Sequence, residues 1–168
     1  DEVQRKAAAD ANAVQDAATL ASIISLFHAN GLRVEALYTD NGRIADVVTY
    51  NNAAAANERF DGIRLNIESG SFAGGLWPGG AHEPTTVDDL AVYVEAVSVP
   101  GAPPIYASIS HHWDEPITYN GQSRPAYQHI LDIVAGIDIQ TAQDSAASIV
   151  NISRDEVCYA NQLVKPAH

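Results

Sequence analysis

Apolar residues recur along this chain with two different periods. Apolar positions three or four residues apart predict helices, and apolar positions at every second residue predict strands. This pattern predicts helices at 3–30, 44–57, 85–97 and 126–134, and a further helix that breaks near Asn151. It predicts strands at 32–39, 60–68, 103–113 and 136–143. A polar loop is expected between the third strand and the helix at 126–134, and His129 is expected on the surface of that helix.

Short polar signals support several of these boundaries. Asn30-Gly31 is a typical helix stop, because glycine adopts a left-handed backbone at little cost. Thr85 and Thr86 are each followed by an aspartate three positions later, which is the spacing of a capping box. Ser153 has a glutamate at the same spacing, so we expect it to cap the last helix.

The order of the elements predicts the fold class. A first helix is followed four times by a strand and a helix, and strands that alternate with helices pair in parallel through right-handed crossovers. No linker or break in composition divides residues 1–168. We therefore predict a single α/β domain built on a parallel sheet of βα units.

Composition narrows the classes of partner. The 168 residues carry a formal net charge of −12, which opposes binding to nucleic acids and to anionic membranes. We therefore expect no nucleic-acid partner and no membrane partner, and the sequence has no apolar run of about 18 residues. One cysteine, Cys158, excludes an internal disulfide framework and a cysteine-rich zinc site.

The chain contains no methionine, so we expect it to be a processed product or a fragment. The sequence leaves its compartment open, with secretion or the periplasm as our expectation.

Candidate chemistry gathers at the ends of the predicted strands. The carboxyl ends of parallel strands form one edge of a sheet, which is where such folds hold their sites. Polar and aromatic residues at or just after these ends are therefore expected to share a rim. They are Tyr38, Asp40, Glu68, His111, His112, Trp113 and Asp144.

The segment "FDGIRLNIE" resembles the signature of the chitinase family of glycoside hydrolases. That signature reads Asp-Gly, acid, apolar, acid, any residue, Glu, on the fourth strand of a (β/α)8 barrel. Asp61-Gly62 matches its entry turn and Glu68 falls on its catalytic acid. Arg64 and Asn66 replace the two preceding acids.

Three further segments resemble neighbouring strands of chitinase-like bacterial proteins of unassigned function. "GLRVEALYTD" is similar to the third barrel strand, "PPIYASISHHW" to the fifth and "GIDIQTAQDSA" to the sixth. In the sixth, Asp144 keeps the family's aspartate, whereas Gln140 and Ala142 stand in the places of its methionine and tyrosine. The resemblance covers roughly residues 20–165.

The resemblance implies a partial (β/α)8 (TIM) barrel. A full barrel has eight strands and typically about 250 residues, whereas this chain supplies four predicted strands. A truncated or half barrel leaves open sheet edges. We expect either that helices cover the open sheet or that a second copy completes it as a homodimer.

By resemblance, Glu68 is the general acid that protonates the leaving oxygen. Asn66 holds the place of the acid that orients the substrate's acetamido group, but it cannot carry that acid's negative charge. A two-carboxylate mechanism is the alternative, with Asp40, Asp114 or Asp144 as partner of Glu68. Its pair would lie about 5 Å apart for retention or about 6.5–9.5 Å apart for inversion.

The expected substrate contacts are Tyr38, Asp40, His111, Trp113 and Trp77. Trp113 at a strand end can stack on a sugar ring; the alternative is a tryptophan packed on a helix. Trp77 lies in a long glycine-rich loop that suits a binding lip. Spacing places no third ligand beside the two adjacent histidines, so we expect neither a metal nor a cofactor.

Three hypotheses of function follow. The first is a carbohydrate-active protein resembling a glycoside hydrolase, with Glu68 as general acid and with Asp144 and Asn66 beside it. The second is a catalytically inactive barrel relative that binds a glycan or a protein partner. The third is a structural subunit that self-associates through its open sheet edge. Whether the chain is an enzyme stays open at this point, because a fold does not determine a function.

Overall fold

The computed structural model of the chain describes residues 17–39, 41–66, 87–110, 113–114, 116–141 and 143–168. Its helices are α1 (Ala17–Ala29), α2 (Ile44–Ala53), α3 (Val87–Val97), α4 (Ala126–Ile133), α5 (Ala146–Ile152) and α6 (Arg154–Gln162), with a 3₁₀ turn at Ala56–Glu58. Its strands are β1 (Glu35–Tyr38), β2 (Gly62–Leu65), β3 (Ile105–Ser110), β4 (Pro116–Tyr119), β5 (Gln122–Pro125) and β6 (Gly136–Gln140).

Four strands form the parallel sheet that the sequence predicts. Their order is β1-β2-β3-β6, and each neighbouring pair runs parallel. The chain is therefore an α/β protein in which successive strands of the sheet lie side by side. This arrangement brings all four carboxyl ends to one edge.

A β-hairpin replaces the polar loop predicted between the third strand and α4. β4 and β5 pair antiparallel, with Tyr119 opposite Gln122. Asn120 and Gly121 connect them with positive φ angles of 50° and 76°, as a two-residue hairpin turn of the I′ kind requires. The Asn-Gly pair was the available sequence signal, and it outweighs the absence of a long apolar alternation on either side.

The ends of the helices test the predicted stop and cap signals. Gly31 has φ +71°, its N–H donates to His28 O, and Leu32 N–H donates to Phe27 O. These two bonds form the Schellman pattern, so the predicted stop is confirmed. The predicted cap at Ser153 is wrong, because no N–H of α6 donates to its side chain, whose hydroxyl donates to Ile149 O at 2.7 Å in the helix before it.

Other predicted ends shift or lie outside the described residues. The helix predicted at 44–57 ends at Ala53, and the last helix breaks at Ser153 rather than at Asn151. Residues 3–16 of the first predicted helix and the two threonines before α3 lie outside the described part of the chain.

Side-chain alternation gives the sheet two unlike faces. Residues in register on neighbouring strands share a face, as Leu65, Ala107 and Ile137 do. The buried members of this apolar face are Ala36, Ile63, Leu65, Ile105, Ala107, Ile109 and Ile137. The opposite face, here called the polar face, carries Glu35, Leu37, Arg64, Asn66, Tyr106, Ser108, Asp138 and Gln140.

The hydrophobic core lies on the apolar face. Helices α2, α3, α4 and α6 all contribute buried side chains to it, which are Ile44, Val47, Leu90, Tyr93, Ala96, Ile130, Leu131 and Ala160. Full burial of one large apolar side chain stabilises the fold by about 1.5–3 kcal/mol. No described helix is long and apolar enough to cross a membrane.

The end of the chain also pairs with β6. Ile137 N–H donates to Pro166 O at 3.0 Å, and His168 N–H donates to Ile137 O at 3.0 Å. Ala167 is thereby bridged in parallel to Ile137. Gly136 permits this approach, since a Cβ there would lie 2.7 Å from Pro166 Cγ. Residues 166–168 therefore extend the sheet beyond β6.

The hairpin turn gives a test of the fold. Gly121→Ala should lower the free energy of unfolding by about 1–2 kcal/mol, because the left-handed backbone is unfavourable for a residue with a Cβ. A Cβ at this position meets no atom within 4 Å, so the loss is conformational rather than steric. Urea unfolding measures it. Gly121→Asn should lose clearly less, because asparagine tolerates this backbone, and equal losses in the two variants would contradict the turn.

Candidate functional site

Arg64 is the central charge of the polar face. It lies on β2, with β1 and β3 on either side. Its Nε donates to Glu35 Oε2 at 2.8 Å and a terminal nitrogen lies 2.6 Å from the same oxygen. Its other terminal nitrogen pairs with Asp138 on β6. One guanidinium therefore ties together side chains from three strands.

Tyr106 lies beneath two guanidinium groups. The Arg64 guanidinium carbon is 5.4 Å from the centre of its ring and that of Arg33 is 5.1 Å away, both within cation–π range. Arg33 also donates to the Tyr106 hydroxyl at 2.8 Å, and this bond raises the pKa of Arg33. The amino-terminal half of the polar face is thus a charge-balanced network of two arginines with Glu35 and Asp138.

An amide pair lies nearer the carboxyl edge. Gln140 Nε2 donates to Asn66 Oδ1 at 2.7 Å, although the two residues are 74 positions apart in the sequence. The main chain of Asn66 is fixed as well, since its N–H donates to Tyr38 O at 2.8 Å. We call Asn66 and Gln140 the amide pair. It places hydrogen-bonding groups of β2 and β6 together at the edge where sites are expected.

Both contacts between β2 and β6 pass over the intervening β3. Neighbouring strands are about 4.8 Å apart, so the backbones of β2 and β6 are about twice that distance from one another. Ser108 is a small side chain on β3 between them, which leaves space for the longer side chains to meet. Long side chains therefore bridge the gap above β3 on this face.

The two contacts share one offset in register. Arg64 is in register with Tyr106, and Tyr106 with Gly136. Arg64 nevertheless contacts Asp138, two residues beyond Gly136. The amide pair repeats the geometry, because Asn66 and Gln140 each lie two residues further along their strands. The polar face therefore consists of two successive layers with the same stagger.

Four of the predicted site residues lie outside the described residues: Asp40, Glu68, Trp77 and His111. Of the others, Asn66 is on the polar face, whereas Asp144 is exposed in the segment between β6 and α5.

Trp113 lies in the hydrophobic core rather than at an open rim. Its side chain is 2% exposed, and its ring meets that of Tyr93 on α3 edge-to-face, with centroids 6.0 Å apart. The packed tryptophan weighed as an alternative is the arrangement observed. No face of the indole is open to a sugar ring.

Tyr38 is also on the apolar side of the sheet. It is in register with Leu65 and packs, half-buried, against the core. Its carbonyl oxygen accepts the hydrogen bond from Asn66 N–H at the carboxyl edge, but its ring points away from the polar face. A ligand on that face would not meet the ring.

Sequence reasoning missed the residues that build this face. Arg64 was considered in the sequence only because it stands where the motif has an acid. The contacts of Arg64 with Glu35 and Asp138, and that of Asn66 with Gln140, were not predicted. The available signal was alternation: Glu35, Arg64, Asp138 and Gln140 all fall on the side of their strands opposite to the buried apolar residues. A single strand cannot reveal which distant strand its charges will meet.

His129 is a second residue placed wrongly from sequence. It was expected on the surface of its helix, but it is 3% exposed because the hairpin covers it. Its Nε2 bonds Ile117 O at 3.2 Å, and Arg124 Nε donates to its Nδ1 at 3.2 Å. Arg124 also bonds Asp132 and the Tyr159 hydroxyl, so the cluster fastens the hairpin to α4 and α6.

No metal centre is evident in the part of the chain that the structure describes. No three or more of its histidine, cysteine, aspartate and glutamate side chains are grouped so as to hold an ion.

Comparisons with known proteins return no relatives. No family model matches the chain, and neither the curated proteins nor the solved structures contain a match.

Arg64 provides a test of the polar face. Arg64→Met keeps an unbranched apolar stem but leaves Glu35 and Asp138, which are 16% and 34% exposed, without their shared cation. We expect the free energy of unfolding to fall by about 2 kcal/mol, between the values for exposed and buried ion pairs. Arg154→Met, the same change at an exposed site, should cost less than about 0.5 kcal/mol. Similar losses in both variants would contradict the network.

Proposed function

We propose that this chain is a carbohydrate-active protein that binds a glycan at the carboxyl ends of its strands, on the polar face of a partial (β/α)8 barrel. The amide pair is the observation that carries the proposal. It joins two strands that are not neighbours, at the edge of the sheet where parallel folds hold their ligands.

The stagger of the polar face supports the barrel. In a (β/α)8 barrel, side chains from alternate strands meet inside in layers. A shear number of 8 over eight strands advances the register by about one residue per strand, hence by about two between alternate strands. The contacts of β2 with β6 have this offset in both layers. An open sheet with helices on both faces has no need of it.

The chemistry of the amide pair suits a sugar. Each side-chain amide offers both donors and acceptors, which complement the hydroxyl groups of a glycan. Among the described residues of the polar face, the charges behind the pair are balanced within the Arg64 network and do not favour an ionic ligand. A neutral, hydroxyl-rich ligand therefore fits the face better than a phosphate or a cation does.

We propose Glu68 as the general acid of a glycoside hydrolase reaction, as the motif resemblance implies. Asn66 would hold the sugar beside it, and Asp144 is the proposed second carboxylate. A carboxylic acid in this role protonates the leaving oxygen as the glycosidic bond breaks.

Binding without catalysis is the second candidate function. One specific observation favours it: the residue in the place of the family's orienting acid is neutral Asn66, and its carbonyl accepts a hydrogen bond from Gln140. An amide so engaged gives no negative charge to steady a cationic intermediate. Self-association through the edge of the sheet at β1 remains a prediction, which light scattering would test.

Glycan-array binding followed by calorimetry tests the site. Gln140→Met and Asn66→Leu should each weaken the best glycan about tenfold or more, since 1.4 kcal/mol corresponds to tenfold in affinity. Gln143→Met makes the same change at an exposed position just beyond β6 and should leave affinity unaltered. Absence of any glycan ligand, or equal effects of Gln140→Met and Gln143→Met, would contradict the site.

Hydrolysis of chromogenic glycosides separates the two functions. If Glu68 is the acid, Glu68→Gln should lower kcat by about 10²–10⁴-fold with little change in affinity. A wild-type chain that binds glycans but cleaves none of a broad panel would support binding alone. Activity that persists in Glu68→Gln would contradict the proposed role of Glu68.

A further inference from the structure

His28 joins the end of α1 to the rest of the fold through both of its ring nitrogens. Nδ1 lies 2.9 Å from Asn57 O, and Nε2 lies 2.9 Å from Asp61 Oδ2. Both partners are oxygen acceptors. A neutral imidazole has one N–H, whereas the imidazolium has two. Only the protonated ring can therefore donate both bonds.

Asp61 is held rigidly at the entry to the sheet. Its Oδ2 also accepts from Val34 N–H at 2.7 Å, and its own N–H donates to Val34 O at 2.8 Å. The carboxylate thus links the segments leading into β1 and β2. Through His28 the same carboxylate reaches the last turn of α1.

The part of the chain that the structure describes shows two further contacts that hold α1 in place. Ile24 is the one side chain of the described helix that is fully buried. Asn57 adds a second polar contact, because its Nδ2 donates to Ser25 Oγ at 2.8 Å. The opposite side of the helix is open, and Leu26 is 64% exposed. Among the described contacts, the bonds of His28 are therefore a substantial part of the polar contacts between α1 and the entry to the sheet.

The charges around His28 favour its protonated form. Asp61 is the carboxylate that faces it. Of the other charged residues nearby, Glu58 faces Ala55 N, Arg59 donates to Ala54 O, and Arg33 is bonded to the Tyr106 hydroxyl. His28 also lies in the last turn of α1, where the helix dipole stabilises a cation. The hydrogen bond to Asp61 is the main cause that raises the pKa of His28, with a smaller contribution from Asn57 O.

We propose that His28, Asn57 and Asp61 form a pH-sensitive latch that docks α1 on the amino end of the sheet when His28 is protonated and loosens it when His28 is neutral. A group whose pKa is raised on folding stabilises the folded state fully below its unfolded pKa, which is about 6.5 for histidine. That stabilisation is lost as the pH rises through the higher pKa of the folded state. The latch is closed in mild acid and weakened in mild alkali.

Native-state amide hydrogen exchange tests the latch, with opening constants corrected for intrinsic exchange rates. In the wild type, amides of α1 should open more readily than amides of α4, and their opening constant should rise severalfold between pH 5.5 and pH 8.5. In His28→Gln, the α1 constant should resemble the wild-type value at pH 8.5 and change much less with pH.

Three results would overturn the latch. One is an α1 opening constant equal to that of α4, since α1 would then open only with the whole molecule. Another is an α1 constant that is the same at both pH values, or that rises as much in His28→Gln as in the wild type. The third needs no variant: an NMR titration of wild-type His28 with a pKa at or below about 6.5.

Discussion

A charged residue in the middle of a parallel sheet must find partners, and Arg64 imposes this constraint on the whole polar face. Parallel sheets are ordinarily apolar on both faces, because helices cover both. β2 instead turns a guanidinium toward one side, and an unpaired charge there would cost several kcal/mol. Glu35 and Asp138 meet that requirement from strands on either side of it. The pairing fixes how β1 and β6 are placed relative to β2.

The same pairing has a consequence at the carboxyl edge. Arg64 contacts Asp138 across β3, and the same offset in register places Asn66 beside Gln140, two residues further along each strand. The charged layer lies toward the amino ends of the strands, and the amide pair lies nearer the carboxyl edge. In the proposed account, the first layer is structural and the second is the binding surface.

The sequence predicted the elements that depend on local pattern. Periodicity placed the four parallel strands in order, and Asn30-Gly31 predicted the end of α1, because a glycine with φ +71° is a local requirement. The hairpin was not predicted, although Asn120-Gly121 is a typical hairpin turn, because β4 and β5 are too short to show a clear alternation of apolar and polar residues. The predicted cap at Ser153 did not form, because its backbone (φ −103°, ψ 9°) lacks the extended conformation of a capping residue and no N–H of α6 donates to its hydroxyl.

The candidate site was less predictable, since it depends on contacts between distant segments. Motif resemblance pointed to Asn66 but not to Gln140 as its partner, because nothing local to either residue specifies the stagger of the sheet. Trp113 and His129 were misplaced for a related reason. Each is covered by an element, α3 or the hairpin, whose position follows from tertiary packing rather than from neighbouring residues.

A double-mutant cycle on Asn66 and Gln140, followed by chemical denaturation, tests most directly whether alternate strands meet on the polar face. The account predicts that the two single substitutions, Asn66→Leu and Gln140→Met, are coupled by about 1 kcal/mol, the value of one hydrogen bond. Effects that add within about 0.3 kcal/mol would mean that the two side chains do not interact, and would contradict both the layers and the site built on them.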